Sequence, residues 1–497
     1  MNTTPARQTT PPRRIRRSAV ALLSAGGAAL LGLTATMHAA FAFGDNTALV
    51  MGPSGFPIPA PPYIAAVDQL YLDQLGYSGY SPQALWTPEG LYPVTGVKSL
   101  TIDASAAQGV TALNTAIDQQ IDAGNHVLVF GYSQSSLIAS TELGNLTASP
   151  NPSDPADLSF LLVGDPNNPD GGLLTRFPGL SIPSLGTTFG GATPDTDYPT
   201  DVYTTEYDGF ADFPRYPLNL LADINAYLGI LYDHANYTTL QPDQITGATP
   251  LPTLGDPMTH YFIIPSDNLP LLEPLRVVPF VGTPLADLLQ PDLTYLVNLG
   301  YGSPLYGWSP NPVDGGYANV ATPFGLFPSL QDIEQLPGLL VSGAKQGVAA
   351  ALNDLQHPTF IDAAQIQHFV DIAYTFGLIP SLHPTLLELI DAASTYANGD
   401  VPVTPPAKVV DALSSIASTF YAALLPTADI ATALGVTLPA DNAVTFVSQL
   451  ADGNLLGAVG DPLALDFAFV PLAIGYEGAV LGEAAATAAT LLAGLVP

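Results

Sequence analysis

The chain of 497 residues contains no cysteine. Disulfides, a thiol nucleophile and cysteine-based zinc sites are therefore excluded. Export is not excluded, because a large core can do without covalent staples. Charge is scarce as well: 11% of residues are charged, against about 25% in an ordinary soluble protein. Such a chain has few groups to keep its surface wet, and contact with lipid or an apolar partner fits it. Basic residues are the scarcest, with 11 Lys and Arg against 43 Asp and Glu and a formal net charge of −32. Five of the eleven (Arg7, Arg13, Arg14, Arg16 and Arg17) lie in the first 17 residues, and no acid precedes Asp45. Nucleic-acid binding needs clustered Lys and Arg, so nucleic acid is excluded as a partner. The length allows two to four domains of roughly 100–200 residues each.

What is present begins with an address. Residues 1–17 are basic and proline-rich, residues 18–43 are apolar, and Ala40-Phe41-Ala42 has the small-x-small form of a cleavage site. Together they read as a signal peptide over 1–42. Arg16-Arg17 ahead of the apolar run is compatible with a twin-arginine variant. The run is also just long enough for an uncleaved N-terminal anchor, which needs about 20 residues. Either reading sends the bulk of the protein out of the cytoplasm, to be secreted or kept in the cell envelope.

Short apolar runs then alternate with helical spacing. Residues 47–52, 126–130, 158–163, 202–207 and 259–264 read as strands. Residues 63–76, 103–123 and 218–232 read as helices, the second with Asp103 as a possible N-cap. A further helix follows Ser133. This alternation predicts an α/β fold, a mostly parallel sheet with helices on both faces, whose ligands bind at the carboxyl ends of the strands. Residues 166–201 are rich in Pro and Gly and hold little regular structure, as lids and binding segments often do. Residues 303–329 look like a boundary. Beyond it the Ala/Leu-rich segments 330–356, 361–377, 383–397, 406–424 and 441–458 read as helices, and 478–497 is apolar apart from Glu483. The expected organisation is a hydrolase domain over 45–330 and a helical region over 331–497. That region is either a structural cap or a surface facing lipid or a partner.

Gly131-Tyr132-Ser133-Gln134-Ser135 lies between the predicted strand and helix. A serine hydroxyl needs a base to take its proton before it attacks. A tight strand-to-helix turn of the Gly-x-Ser-x-Gly type presents it for that purpose. Ser135 replaces the second glycine and is small enough to be tolerated. Ser133 is the candidate nucleophile.

In this architecture the acid and then the histidine follow the serine. Of seven histidines, His38 lies in the signal, His126 precedes the nucleophile, and His357, His368 and His383 belong to the tail. His234, in a loop after the 218–232 helix, is the preferred base. His260, inside an apolar strand, is the alternative. Asp208 at the end of a predicted strand is the preferred acid, Asp212 the alternative and Asp165 a third candidate. The acid would hold the imidazole tautomer and stabilise the imidazolium. For an oxyanion hole, one donor is the backbone N–H of Gln134. Pro53 has no N–H, so Ser54 is the natural second donor; the competing reading of that segment is a plain turn. No cofactor and no metal is called for.

At these residues the chain resembles the PE-PPE domain family, exported serine hydrolases of mycobacterial-type envelopes related to cutinases. The resemblance covers roughly 45–330. It rests on Leu49-Val-Met-Gly-Pro-Ser-Gly, Gly131-Tyr-Ser-Gln-Ser-Ser, Tyr207-Asp-Gly-Phe-Ala-Asp-Phe-Pro, Tyr216-Pro-Leu-Asn-Leu-Leu-Ala and Asn268-Leu-Pro-Leu-Leu-Glu-Pro-Leu-Arg. It implies a cutinase-like α/β-hydrolase fold and the triad Ser133, Asp208 and His234. Asp-Gly-Phe-Ala resembles the run that carries the cutinase acid, which favours Asp208, and His234 to Tyr237 resembles the cutinase His-x-x-Tyr segment. Ser135 is a variant that the family uses. The expected activity is that of an exported esterase or lipase cleaving acyl esters through an acyl-serine. The alternatives are an acyltransferase moving acyl groups between envelope lipids or sugars, and a non-catalytic envelope protein that binds lipid. The expected partner is an acyl ester or lipid, with membrane or envelope association in keeping with the composition. The sequence does not specify an oligomeric state.

Overall fold

Apolar runs form a sheet once helices cover both of its faces. The computed structural model describes residues 46–278, 280–310, 316–357 and 406–495. The strands are β1 (Asn46–Val50), β2 (Ser81–Ala84), β3 (His126–Tyr132), β4 (Leu158–Val163), β5 (Ser181–Ile182), β6 (Thr187–Thr188), β7 (Thr200–Thr205), β8 (Thr249–Pro250) and β9 (Thr259–Ile264). Seven of them build one sheet in the order β2-β1-β3-β4-β7-β9-β8, and β5-β6 is a separate hairpin. The sheet is parallel from β2 to β9, and only β8 is antiparallel to its neighbour.

Side chains alternate across the strands and separate two cores. Leu49, Val127, Val129, Phe160 and Leu162 pack on one face against α2 (Ile102–Asp122) and α3 (Gln134–Ala148). Val50, Leu128, Phe130, Leu161 and Val163 pack on the other against α1 (Pro61–Val67) and the π-helical turn that continues it. The longer helices that follow are α4 (Leu220–Tyr232), α5 (Gly282–Asn298), α6 (Leu330–Gln356), α7 (Pro406–Thr432), α8 (Leu438–Ala451) and α9 (Leu455–Ala493). The predicted α/β class and mostly parallel sheet are the observed ones.

Several local expectations differ from the structure. The strand expected at 202–207 is β7, two residues earlier, so Asp208 stands clear of its end. Thr101, not Asp103, caps α2, accepting from the Ala104 N–H at 3.4 Å. Asp103 instead accepts from the Thr188 N–H at 3.0 Å and its hydroxyl at 2.8 Å, tying α2 to β6. Strand β2 was not foreseen, because Ser-Pro-Gln-Ala has no apolar pattern; proline is tolerated there at the sheet edge. Helix α5 contains Pro291, whose missing N–H removes one helical hydrogen bond.

The irregular segment 166–201 is anchored rather than loose. Arg176 is fully buried and pairs with Asp170 at 2.8 Å. It also donates to the Phe213 and Thr322 carbonyls and to Ser309 Oγ. Phe177, Leu180, Ile182 and Phe189 from this segment share an apolar cluster with Ile430, Leu438, Leu465 and Phe469. Helices α7–α9 are thus packed against the loops at the carboxyl end of the sheet. Two helical runs, Lys408–Ala451 and Leu455–Ala493, are long and apolar enough to cross a membrane by length and composition. The signal expected at 1–42, the helices expected at 361–377 and 383–397, and His38, His368 and His383 lie outside the described residues.

Candidate active site

Strand β3 ends at Tyr132 and α3 begins at Gln134, leaving Ser133 as the whole turn. Its φ of 59° is a left-handed conformation that costs a non-glycine residue energy and aims the side chain away from the sheet. A Cβ on Gly131 would meet the Ser135 carbonyl oxygen at 2.8 Å, so strand and helix approach closely only because residue 131 is glycine. Ser135 fits where the motif has glycine because its hydroxyl is used locally. It accepts from the Tyr132 N–H at 2.8 Å and donates to the Tyr132 carbonyl at 3.0 Å.

Three side chains form one hydrogen-bonded chain. Ser133 Oγ lies 2.7 Å from His234 Nε2. His234 Nδ1 lies 2.8 and 2.9 Å from the two oxygens of Asp208. His234 sits in a short 3-10 turn directly after α4 and is buried. Tyr132 donates its hydroxyl to the His234 carbonyl, and the Phe210 ring meets the imidazole edge-to-face at 4.8 Å. Gly164, with φ of 57°, follows β4; a Cβ there would stand 2.8 Å from the Tyr237 ring and 3.1 Å from the imidazole.

Asp208 is fully buried and well supplied with donors. Tyr237 donates its hydroxyl to Asp208 Oδ2 at 2.8 Å and itself accepts from the Thr205 N–H. The N–H groups of Phe210 and Ala211 donate to Asp208 Oδ1 at 2.9 and 3.2 Å. Buried carboxylates are tolerated when so many donors converge on them. The spacing of Tyr237 from His234 does not by itself reveal that Tyr237 supports Asp208.

The alternatives lie elsewhere. Asp212 is buried and accepts from the Tyr207 N–H at 3.1 Å. Burial, with smaller repulsion from Glu206, pushes its carboxyl well above the usual range. Asp165 accepts from the Asn167 N–H and the Thr193 hydroxyl and shapes the start of the 166–201 segment. His260 is exposed on β9 and meets Asp201 at 3.2 Å.

Ser54 and Gln134 are brought together: the Ser54 hydroxyl donates to Gln134 Oε1 at 2.7 Å. The Gln134 amide donates to the Gly90 carbonyl at 2.9 Å, and the Gly55 N–H donates to the Glu89 carbonyl at 2.7 Å. The segment carrying Glu89 and Gly90, to which the sequence drew no attention, therefore steadies both. Glu89 is itself buried, with φ of 50°, and burial pushes its carboxyl up to about 8.

A parallel sheet with a Ser–His–Asp chain at its carboxyl end has the architecture of an α/β hydrolase. Comparison with known proteins narrows this. The PE-PPE domain model matches residues 78–302. The PPE family protein PPE28 of Mycobacterium tuberculosis is 46% identical over 461 residues, covering 91% of this chain and 68% of its own. The chain belongs to the PE-PPE domain family. From the same organism, Esterase PE16 is 48% identical over 308 residues, or 61% of this chain and 56% of its own length. The SL1278 acyltransferase Chp1 is 32% identical over 270 residues, or 52% of this chain and 64% of its own. The chain thus spans little more than half to two thirds of these relatives.

Proposed function

We propose that the protein is an exported serine esterase that cleaves acyl esters through an acyl-serine at Ser133. The observation that carries this reading is the unbroken hydrogen-bonded chain from Ser133 through His234 to Asp208. In the proposed mechanism His234 Nε2 takes the Ser133 proton as Oγ attacks the ester carbonyl. Asp208 holds the Nδ1–H tautomer and stabilises the imidazolium, without itself taking the proton. The imidazolium then gives its proton to the departing alcohol. Water repeats the sequence to release the acid.

The oxyanion formed in each half-reaction needs preorganised donors. The backbone N–H groups of Gln134 and Ser54 make no hydrogen bond among the described residues and are free to serve. Loss of one such donor costs about 2.7–4 kcal/mol of transition-state stabilisation. We take 45–330 as the hydrolase domain, 1–42 as the export signal and 331–497 as a helical region associated with the envelope. The low charge content and the apolar surfaces of α7–α9 support that placement.

A second reading, acyl transfer to a sugar or lipid hydroxyl, is favoured by the likeness to a protein named as an acyltransferase. The two share every step up to the acyl-serine. The test is labelling with a fluorophosphonate probe. Wild type is labelled and Ser133→Ala is not. Absence of labelling in wild type would overturn the reading and favour a non-catalytic lipid-binding protein. Product analysis with a lipid ester, with and without added sugar, separates hydrolysis from transfer.

A further inference from the structure

A groove of about 720 Å³ runs between α2 and α3 under residues 188–194. Both helices descend from the carboxyl end of the sheet, so the groove begins on the face that carries Ser133. Its wall on α3 is the stripe Leu137, Ser140, Thr141 and Gly144, spaced as one helix face. Leu137 is one turn past the nucleophile, its N–H donating to the Ser133 carbonyl at 3.2 Å. Leu137 and Phe210, whose ring meets His234, pack on one apolar cluster, and Leu174 belongs to that cluster and also lines the groove. Leu137 and Leu174 thus join the groove to the apolar cluster on which Phe210 also packs.

The lining also indicates what fits there. No Lys or Arg contributes to it, so no cation is present to pair with a phosphate or a carboxylate. The acid present, Asp103, already accepts two hydrogen bonds from Thr188. Small residues, Ala106, Ala107 and Gly144, make up its facing helical walls. A Cβ on Gly144 would meet nothing within 4 Å. Gly144 is 11 residues beyond Ser133, or about 16 Å along the helix at 1.5 Å per residue, so only a long chain attached at Ser133 reaches it.

We propose that this groove receives the long, uncharged acyl chain of the ester. The inference rests on the hydrolase reading for its orientation, and its test does not require turnover. Methyl cis-parinarate, a neutral fluorescent long-chain ester, is titrated into the full chain carrying Ser133→Ala, so that no cleavage intervenes. Saturable binding is expected. Adding Gly144→Leu, or Ala107→Trp from the opposite wall, weakens it about tenfold or more. The two walls give independent variants should one fail to fold, and Thr115→Leu on the exposed face of α2 leaves the affinity as it was. No binding, or affinity unchanged from the Ser133→Ala parent in both groove variants, overturns the groove. Fluorophosphonate labelling of Ser133 in the otherwise unaltered chain reports separately on the hydrolase reading. Binding that depends on Gly144 without labelling sinks that reading while the groove stands.

Discussion

Around Ser133 the polar atoms are engaged in a dense network, whereas α7–α9 meet the loops at the carboxyl end of the sheet through an apolar cluster and a few hydrogen bonds. Asp208 alone accepts from His234, Tyr237, Phe210 and Ala211. The ties of the C-terminal helices include Tyr92 to Asp429 at 2.7 Å, Ser184 to the Asp429 carbonyl at 2.9 Å and Tyr227 to the Ala468 carbonyl. Their outer surfaces expose Leu413, Leu424, Leu425, Val444, Val447 and Leu450. Hydrogen bonds are directional and fix atoms to a few tenths of an ångström, while apolar burial is non-directional and fixes only which face turns inward. One region is built for geometry and the other for contact.

Breaking the geometric region gives the largest effect. Asp208→Asn replaces one carboxylate oxygen by an amide donor, which favours the wrong imidazole tautomer and removes the charge, and ester turnover is expected to fall about 10⁴-fold. Asp212→Asn costs no more than about tenfold, 1.4 kcal/mol of barrier, because its carboxyl bonds to the Tyr207 backbone and not to His234. Steady-state kinetics on a soluble ester checks both, and equal losses would remove the distinction between the two acids.

The contact region predicts a different failure. Phe469 is buried where α9 meets Phe189, their rings 6.0 Å apart. Phe469→Ala destabilises the fold by about 3–5 kcal/mol. Fluorophosphonate labelling of Ser133 persists below the new unfolding midpoint. Denaturant unfolding measures the first and labelling the second; loss of labelling in a folded variant would mean that α9 shapes the site.

The last effect concerns protons. Burial raises the carboxyl of Asp223 to about 9, with neither oxygen hydrogen-bonded among the described residues, and that of Glu206 to about 7. In the unfolded chain such groups lose their protons near pH 4. Between about pH 4 and 9 the folded form therefore holds more protons, and stability falls as pH rises through these raised values. Asp223→Asn makes the decline shallower, most visibly at pH 9. Unfolding midpoints at pH 5, 7 and 9 that track wild type in parallel would count against a protonated Asp223.

Much of this was legible along the chain. The strands at 158–163 and 259–264 were read to the residue, since an apolar run of that length bounded by turns has few other fates. Ser133 was visible because its turn has a local motif, and the choice of His234 over His260 followed from one standing in a loop and the other in a strand. Gly164 and Tyr132 carry no such local signal, and the spacing of Tyr237 from His234 does not say what its hydroxyl bonds. Their roles come from contact with residues about 30 to 100 positions away. The cap at Thr101 was missed because Asp103 had a better use against Thr188 across the fold.

By itself, then, the sequence determined the class of fold, a candidate nucleophile and a short set of candidate partners, because hydrophobic period and turn chemistry act over a few residues. Only the tertiary structure decided which carboxylate meets His234, why Ser135 is accepted beside Ser133, and that α7–α9 lie against the loops near the site. Those outcomes depend on which distant surfaces pack together, and packing is settled by the whole chain at once.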